Sequence, residues 1–356
     1  NLCTQENPDQ IPALLRHLRS RGYGNGEVHR NQSGKYRISY NHHNQPKVSI
    51  LVTCENQLET LVTCIESLLE KTAWPDYEIL IADNASKNEP TTQWLAAMDE
   101  LQSDKIRILR HGQRLSRSAL INSAARFAKG EYLLLLANNI SVVEPRWLHN
   151  LLNQGQRAEV GITGSKVIAM DGSLLHAGII LGPNGSAVPV TDQHAATPSF
   201  AQRLDTEQNY SAVSGDCLLI RSSLFEELAG LDEQLFAQHF YDIDLCLKTL
   251  NSGHLVVWTP DTTVARHAIR ADVDEQELNF ATQALYHRWL HYLAWDPAHN
   301  RGLSLKAQGY EVQNNHELSW RPLTHRPLPV VLAQPIDRGT IGNRIAAPLR
   351  SLRAGT

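Results

Sequence analysis

The sequence predicts an α/β protein whose core is a parallel sheet covered on both faces by helices, and three observations carry that prediction. Short runs rich in Val, Ile and Leu alternate with stretches of helical apolar spacing from residue 46 to residue 137. The runs are too short for helices, and their repeated alternation with helices is the pattern of strands joined by crossover connections. The 356 residues, 42% hydrophobic and 20% charged, supply one large core with appendages.

Taken in order, residues 1–45 open with a short amphipathic helix at 11–21, followed by a polar stretch rich in Asn, His and Gly that reads as a linker or edge decoration. The organised domain starts at Pro46. Val48-Ser49-Ile50-Leu51-Val52-Thr53 is the first strand, and Leu58, Leu61, Val62, Ile65, Leu68 and Leu69 then fall on one helical face. The same pairing recurs as strand 77–82 with helix 91–101, strand 106–109 with helix 116–128, and a further strand at 131–136. Beyond residue 141 the alternation loosens into helix 145–156, strand 164–169 and a hairpin about Asp171-Gly172. The Gly-, Pro- and His-containing segment 182–200 suits a loop over a site. Strand 212–221, helices 223–228 and 242–250 and strand 255–258 complete the unit, and a helical stretch at 274–292 extends it.

Several function classes are set aside by composition. Lys and Arg are scattered in a chain of net charge −4, so no basic stripe is present to follow a nucleic-acid backbone. The longest apolar run, Leu133-Leu134-Leu135-Leu136-Ala137, falls far short of the roughly 20 residues that span a bilayer. The chain opens at Asn1 without an initiator Met or a signal-peptide core, which is expected of a piece cut from a longer polypeptide. The five cysteines (3, 54, 64, 217 and 246) are odd in number and lack C-x-x-C spacing, and three fall in core segments. They read as reduced buried thiols in a cytoplasmic setting, at most peripheral to the inner membrane. His287 and His291 share a helical face but lack the Glu of a zinc-hydrolase helix, and Gly182-Pro183-Asn184-Gly185 lacks the setting of a phosphate-binding loop.

Thr53, Asp83 and Asn84 stand just past the ends of adjacent strands, where a nucleotide-sized crevice forms in such sheets. An Asp there accepts from a base or ribose hydroxyl; the alternative is an Asx-turn, because Asp83-Asn84-Ala85-Ser86 is good turn chemistry by itself. Asp242 and Asp244 sit in the first turn of a helix, where carboxylates are also favoured as caps.

These pieces, with Ser211-Ala212-Val213-Ser214-Gly215-Asp216-Cys217, Tyr241-Asp242-Ile243-Asp244 and Trp258-Thr259-Pro260 leading to His267, resemble the family-2 glycosyltransferases in composition and order from residue 46 to residue 267. The resemblance implies a GT-A-like mixed sheet that binds a nucleotide-diphosphosugar, joined to an acceptor-binding half. It assigns Thr53, Glu55, Asp83, Asn84, Asn138 and Asn139 to the donor, Gly215, Asp216 and Tyr241 to the acceptor side, and Asp242, with Asp244 beside it, to catalysis. The carboxylate at the position of Asp242 is the family's general base for inverting transfer. Where relatives carry an Asp-x-Asp motif for a divalent ion, this chain has Ala137-Asn138-Asn139. Mg²⁺ and Mn²⁺ prefer charged oxygen ligands, so the cofactor is expected to be weakened or lost, with Asn139 and His267 as the remaining ligand positions. A lone His after a strand is as readily a structural hydrogen-bonder.

The resemblance therefore implies a domain at 46–270 that transfers a sugar to a glycan acceptor in bacterial surface polysaccharide synthesis. The alternative is a degenerate fold that binds nucleotide or glycan, or spaces other domains of the same polypeptide. Residues 271–328 read as a helical extension. The strand-like 329–333, the Gly-containing loop 337–342 and the helical start at 343–353 resemble the truncated opening, at 329–356, of a following Rossmann-like domain.

Overall fold

The structure, a computed structural model, describes residues 10–30, 34–183, 186–192, 202–267, 273–300 and 302–303. The chain divides into two units, Asn1–Leu323 and Thr324–Thr356, and every described residue lies in the first. The terminal strand and helix expected at 329–353 lie outside the described residues.

At the centre is a ten-stranded sheet. Its parallel half is β3 (Val48–Cys54), β4 (Tyr77–Asp83), β5 (Ile106–Arg110) and β6 (Tyr132–Ala137), in the spatial order β5-β4-β3-β6. The connecting helices are α2 (Leu58–Lys71), α3 (Glu89–Glu100) and α4 (Arg117–Phe127). These strands are continuous apolar runs because both faces are buried. Ile50, Val52, Ile79, Ile81, Leu134 and Leu136 pack on one side with Leu61, Leu68 and Leu95 of α2 and α3. Leu51, Leu80, Leu133 and Leu135 pack on the other with Leu120 and Ile121 of α4.

The sheet is mixed rather than wholly parallel. The strand expected at 212–221 is shortened to β13 (Cys217–Arg221), which runs antiparallel to β6 and to β8 (Val160–Ala169). Periodicity reports burial and is blind to direction, so this reversal is invisible in the apolar pattern. The last long strand, β14 (Leu255–Arg266), extends eight residues past its expected end at 258 and pairs in parallel with β8 across an irregularity between Trp258 and Thr263. Thr259-Pro260-Asp261 has turn composition, but here it forms a bulge in a continuing strand. Short β7 (Ile140–Val142) pairs with the end of β14, β9 (Leu174–His176) with β8, and β12 (Gln208–Asn209) with β14. Segment 182–200 holds β11 (Ala187–Pro189), which pairs with β10 (Ile179–Leu181); residues 184–185 and 193–200 lie outside the described residues.

The two faces are completed by α5 (Trp147–Gly155) on the α2 side, and by α6 (Ser222–Glu227), α7 (Tyr241–Asn251) and α8 (Glu275–Ala294) on the α4 side. Ala281, Ala284, Leu285, Trp289 and Leu293 of α8 are part of the main core. The helix is thus packed into the same hydrophobic layer as the sheet.

The parallel strands are clamped at their amino ends by a buried polar knot. Ser49 Oγ donates to Glu78 Oε1 (2.6 Å), Gly130 N donates to Ser49 Oγ (2.8 Å), and Arg107 meets Glu78 Oε2 at 2.9 Å. A Cβ on Gly130 would lie 2.5 Å from Ser49 N and 2.8 Å from Lys47 O, so this crossing of backbones admits only glycine.

The N-terminal stretch is more than a linker. Helix α1 (Gln10–Ser20) packs on a hairpin of β1 (Glu27–Arg30) and β2 (Tyr36–Ser39) around Leu18, Val28 and Tyr40. Tyr23 Oη donates to Glu159 Oε2 (2.7 Å), and Asn153 Oδ1 receives Tyr40 N (2.9 Å), which fastens the hairpin to the domain.

Candidate active site

The strand order reverses at β3, with β4 on one side and β6 on the other, so the crevice of this sheet opens at their carboxyl ends. Thr53, next to last in β3, pairs with Ala82 of β4 and Ala137 of β6, and Asp83 ends β4. Asp83 is buried, its Oδ1 accepting from Ser86 N at 3.2 Å and lying 3.8 Å from Cys54 Sγ. The Asx-turn therefore exists, and one carboxylate oxygen is engaged in it.

Asn84 is a strut. Its Nδ2 donates to Glu55 Oε2 (3.1 Å) and Leu115 O (3.0 Å), while its Oδ1 receives Leu115 N (2.7 Å). Both N–H groups and the carbonyl are thus used in holding the loop before α4, which leaves little for the donor contact expected of it. Glu55 is likewise shared between Asn84 and Arg114, 3.0 Å away. Asn138 is buried and donates to Gln57 Oε1 (2.7 Å).

The opposite wall is built by Gly215, Asp216 and the start of α7. Ala137 N donates to Asp216 O (3.1 Å), which places Asp216 at the end of β6. Gly215 N donates to Asp242 Oδ2 (2.8 Å), and Ile243 N donates to Oδ1 (2.9 Å). Burial raises the Asp242 carboxyl above the ordinary range against the pull of these two backbone donors, and the charge of Asp216 adds to the rise. Before it, Phe240 has a left-handed φ of 58°. A bulky residue there is costly, and it turns the chain so that α7 begins with Tyr241 and Asp242 at the crevice. Burial pushes the Tyr241 hydroxyl up to about 12. The Arg117 guanidinium, at the first turn of α4, lies 5.9 Å from the Tyr241 ring centroid.

Asp244 belongs elsewhere. It is buried, and its Oδ1 accepts from Trp289 Nε1 (2.9 Å) and Arg288 Nη1 (3.0 Å) of α8. Lys248 Nζ lies 3.5 Å from Oδ2. The catalytic assignment of Asp244 therefore finds no support in its position: two residues along a helix is about 200° of rotation, so it points at α8 while Asp242 points at the crevice.

The residues left where a divalent ion would sit suit it poorly. Asn139 Nδ2 donates to His267 O (2.8 Å), His267 N donates to Asn139 O (2.8 Å), and His267 Nε2 meets Ser141 Oγ at 2.8 Å. Asp216 Oδ2 is paired with Arg266 Nη1 at 3.0 Å. Among the described residues, no three His, Cys, Asp or Glu side chains converge to hold a metal ion. A neutral amide, a bonded imidazole and a carboxylate already held by a guanidinium are a weak donor set for Mg²⁺ or Mn²⁺.

Three residues beside this site carry no motif and were missed by sequence reasoning: Arg117, Arg266 and the buried His176 at the end of β9. Cys54, Cys64, Cys217 and Cys246 are free and buried, as expected; Cys3 lies outside the described residues. Burial holds the first three thiols up at about 12.

Residues 49–229 match the family described as glycosyl transferase family 2. The match stops short of Asp242 and His267. The chain is 32% identical over 289 residues, 78% of its length, to the uncharacterized protein y4gI of Sinorhizobium fredii. It is 32% identical over 312 residues, 86% of its length, to the O-antigen biosynthesis protein RfbC of Myxococcus xanthus. It spans 31% and 24% of the lengths of those two relatives. Among solved structures, GalNAc-T7 with UDP, GalNAc and Mn²⁺ superposes with a TM-score of 0.58 at 18% identity, over 75% of this chain and 52% of that one. The fold is thus the GT-A fold expected from the motifs.

Proposed function

The chain belongs to glycosyltransferase family 2, and from that premise we propose that it transfers a sugar from a nucleotide-diphosphosugar to a glycan hydroxyl with inversion, Asp242 acting as the base. The observation that carries this reading is the Asp242 carboxylate: half-buried at the carboxyl end of the sheet, fixed by two backbone N–H groups and raised by burial toward proton affinity. As the acceptor oxygen bonds the anomeric carbon, its proton passes to Asp242 and the bond to the diphosphate breaks on the far side. Asp83 faces the nucleotide, Thr53 and Asn139 line the donor side, and Gly215, Asp216 and Tyr241 form the wall toward the acceptor. Asn84, Glu55 and Asn138 shape the pocket from behind.

A surface polysaccharide of the O-antigen type is the product class we favour, because RfbC is one of the relatives matched over most of this chain. A cytoplasmic location accords with four buried free thiols and with the absence, among the described residues, of a helix long and apolar enough to cross a membrane. The other domains of a longer polypeptide are the remaining expected partners.

The neutral Asn138 and Asn139 favour a second reading, a fold that binds nucleotide or glycan without turnover. Hydrolysis of a panel of nucleotide sugars, which needs no acceptor, separates the two. Wild type turns over at least one donor, and Asp242→Asn lowers that rate by roughly 10²–10⁴-fold with little change in donor affinity. A mutant within threefold of wild type rejects the base, and binding without turnover of any donor favours the second reading.

A further inference from the structure

The leaving diphosphate gains negative charge as the glycosidic bond breaks, and in this chain no carboxylate on β6 is available to bring it a cation. Asn138 and Asn139 are neutral, and one amide N–H of each is engaged, by Gln57 and by the backbone of His267. The charges beside the end of β6 are instead those of Asp216 and Arg266. Asp216 is fixed there by the Ala137 N–H on its carbonyl, and Arg266 by strand pairing with Ile140. Nη1 of Arg266 is held at 3.0 Å by Asp216, while 39% of the side chain is open to solvent. A guanidinium has five N–H donors, so the remaining fork is able to grip phosphate oxygens.

A second, independent observation points to the same place. His176 is 5% exposed, and its Nδ1 accepts from Gly178 N at 3.3 Å, which leaves the ring proton on Nε2. Among the described residues that buried Nε2 has no hydrogen-bond partner. His176 pairs with Val167 of β8, whose other neighbour is Val264 of β14, two residues before Arg266, and burial keeps the imidazole neutral, down at about 4. A buried N–H without an acceptor is costly unless a ligand oxygen supplies one.

We propose that Arg266, assisted by the Nε2–H of His176, takes the place of the divalent ion and binds the diphosphate of the donor, with Asp216 holding the guanidinium in position until that anion arrives. This rests on the donor-site reading above. In the transfer step the acceptor oxygen bonds the anomeric carbon and gives its proton to Asp242. The pair of electrons in the broken carbon–oxygen bond goes to the diphosphate oxygen facing Arg266. No metal, oxidant or reductant enters the balance.

The test is titration calorimetry of the full chain with UDP, GDP, dTDP and ADP, in EDTA and then with Mn²⁺. Wild type is expected to bind at least one of them in EDTA, with Mn²⁺ changing the affinity less than threefold. Arg266→Gln is expected to weaken that diphosphate by about 30-fold while leaving the matching nucleoside within threefold, and Arg266→Lys to recover part of the loss. His176→Phe is expected to cost about fivefold, and Asp216→Asn, which frees the guanidinium, to tighten binding a few-fold. Melting temperatures near wild type establish that each variant is folded. The proposal is overturned if Arg266→Gln binds the diphosphate within threefold of wild type, or if wild type binds only with Mn²⁺, a result that leaves the donor site standing. Failure of wild type to bind any of the four under either condition removes the donor site and this inference together.

Discussion

Asp242 and Asp244 occupy one helical turn, yet the structure predicts opposite consequences for neutralising them. The Asp244 carboxylate is 1% exposed and accepts from Trp289 and Arg288, with Lys248 at 3.5 Å. Asp244→Asn preserves size but leaves Arg288 with Asp232 alone, 2.8 Å away, and weakens the anchor of α8. Two charge-assisted bonds at about 1.5–3 kcal/mol each are lost or reduced, and part of that is returned because a buried carboxylate no longer needs desolvating. A net destabilisation of about 3 kcal/mol follows, which at roughly 2 °C per kcal/mol lowers the melting temperature by about 6 °C. Thermal unfolding followed by circular dichroism measures this. A double-mutant cycle with Arg288→Gln should show coupling of at least about 1 kcal/mol. The activity of the folded fraction should stay within a few-fold of wild type. The reasoning is refuted if Asp244→Asn melts within about 1 °C of wild type, or if its folded fraction loses activity as deeply as Asp242→Asn.

Three further outcomes are expected. Gly130→Ala, whose Cβ would meet the β3 backbone at 2.5 Å, should cost more than about 3 kcal/mol, and recovery of soluble protein with an unchanged urea midpoint would contradict this packing. Glu159 is held down to about 2: burial opposes its ionisation, but Tyr23, its own backbone N–H and Arg157 outweigh that, so its contribution is present above its unfolded value near 4.5 and is lost as pH falls toward 2. Glu159→Gln should therefore lower stability by about 1–2 kcal/mol at pH 7, with the difference from wild type shrinking below pH 4 in parallel melts. Asn139→Asp should tighten Mn²⁺ binding appreciably only when combined with Arg266→Gln, which frees the Asp216 carboxylate as a second charged oxygen ligand; a tenfold gain from Asn139→Asp alone would sink that logic.

Much of the parallel half was legible because its strands are buried on both faces, so Val48–Cys54 and Tyr77–Asp83 appear as unbroken apolar runs between helices of clear period. What stayed hidden had physical reasons. Strands β7 and β12, three and two residues long, are below the length at which alternation is visible. The far half of β14 lay behind a Pro-containing bulge, and the reversed direction of β13 leaves no trace in composition. At the site, Asp83 and Asn84 were legible as polar residues at strand ends. That Asn84 spends its amide on Leu115, 31 positions along the chain, depends on a loop the sequence does not position.

The same limit explains why the charged residues of the site were the hardest to find. A carboxylate pair such as Asp242 and Asp244 attracts notice as a motif, but helix geometry separates the two, and only the backbone donors at Gly215 and Ile243 mark which one faces the crevice. Arg117, His176 and Arg266 come from α4, β9 and β14, and no spacing links them. They gather because β9 and β14 flank β8, and because Arg117, in the first turn of α4, has its guanidinium 5.9 Å from the Tyr241 ring centroid. Phe240 and Ala85 hold left-handed φ of 58° and 55°, a local cost that packing elsewhere must hold.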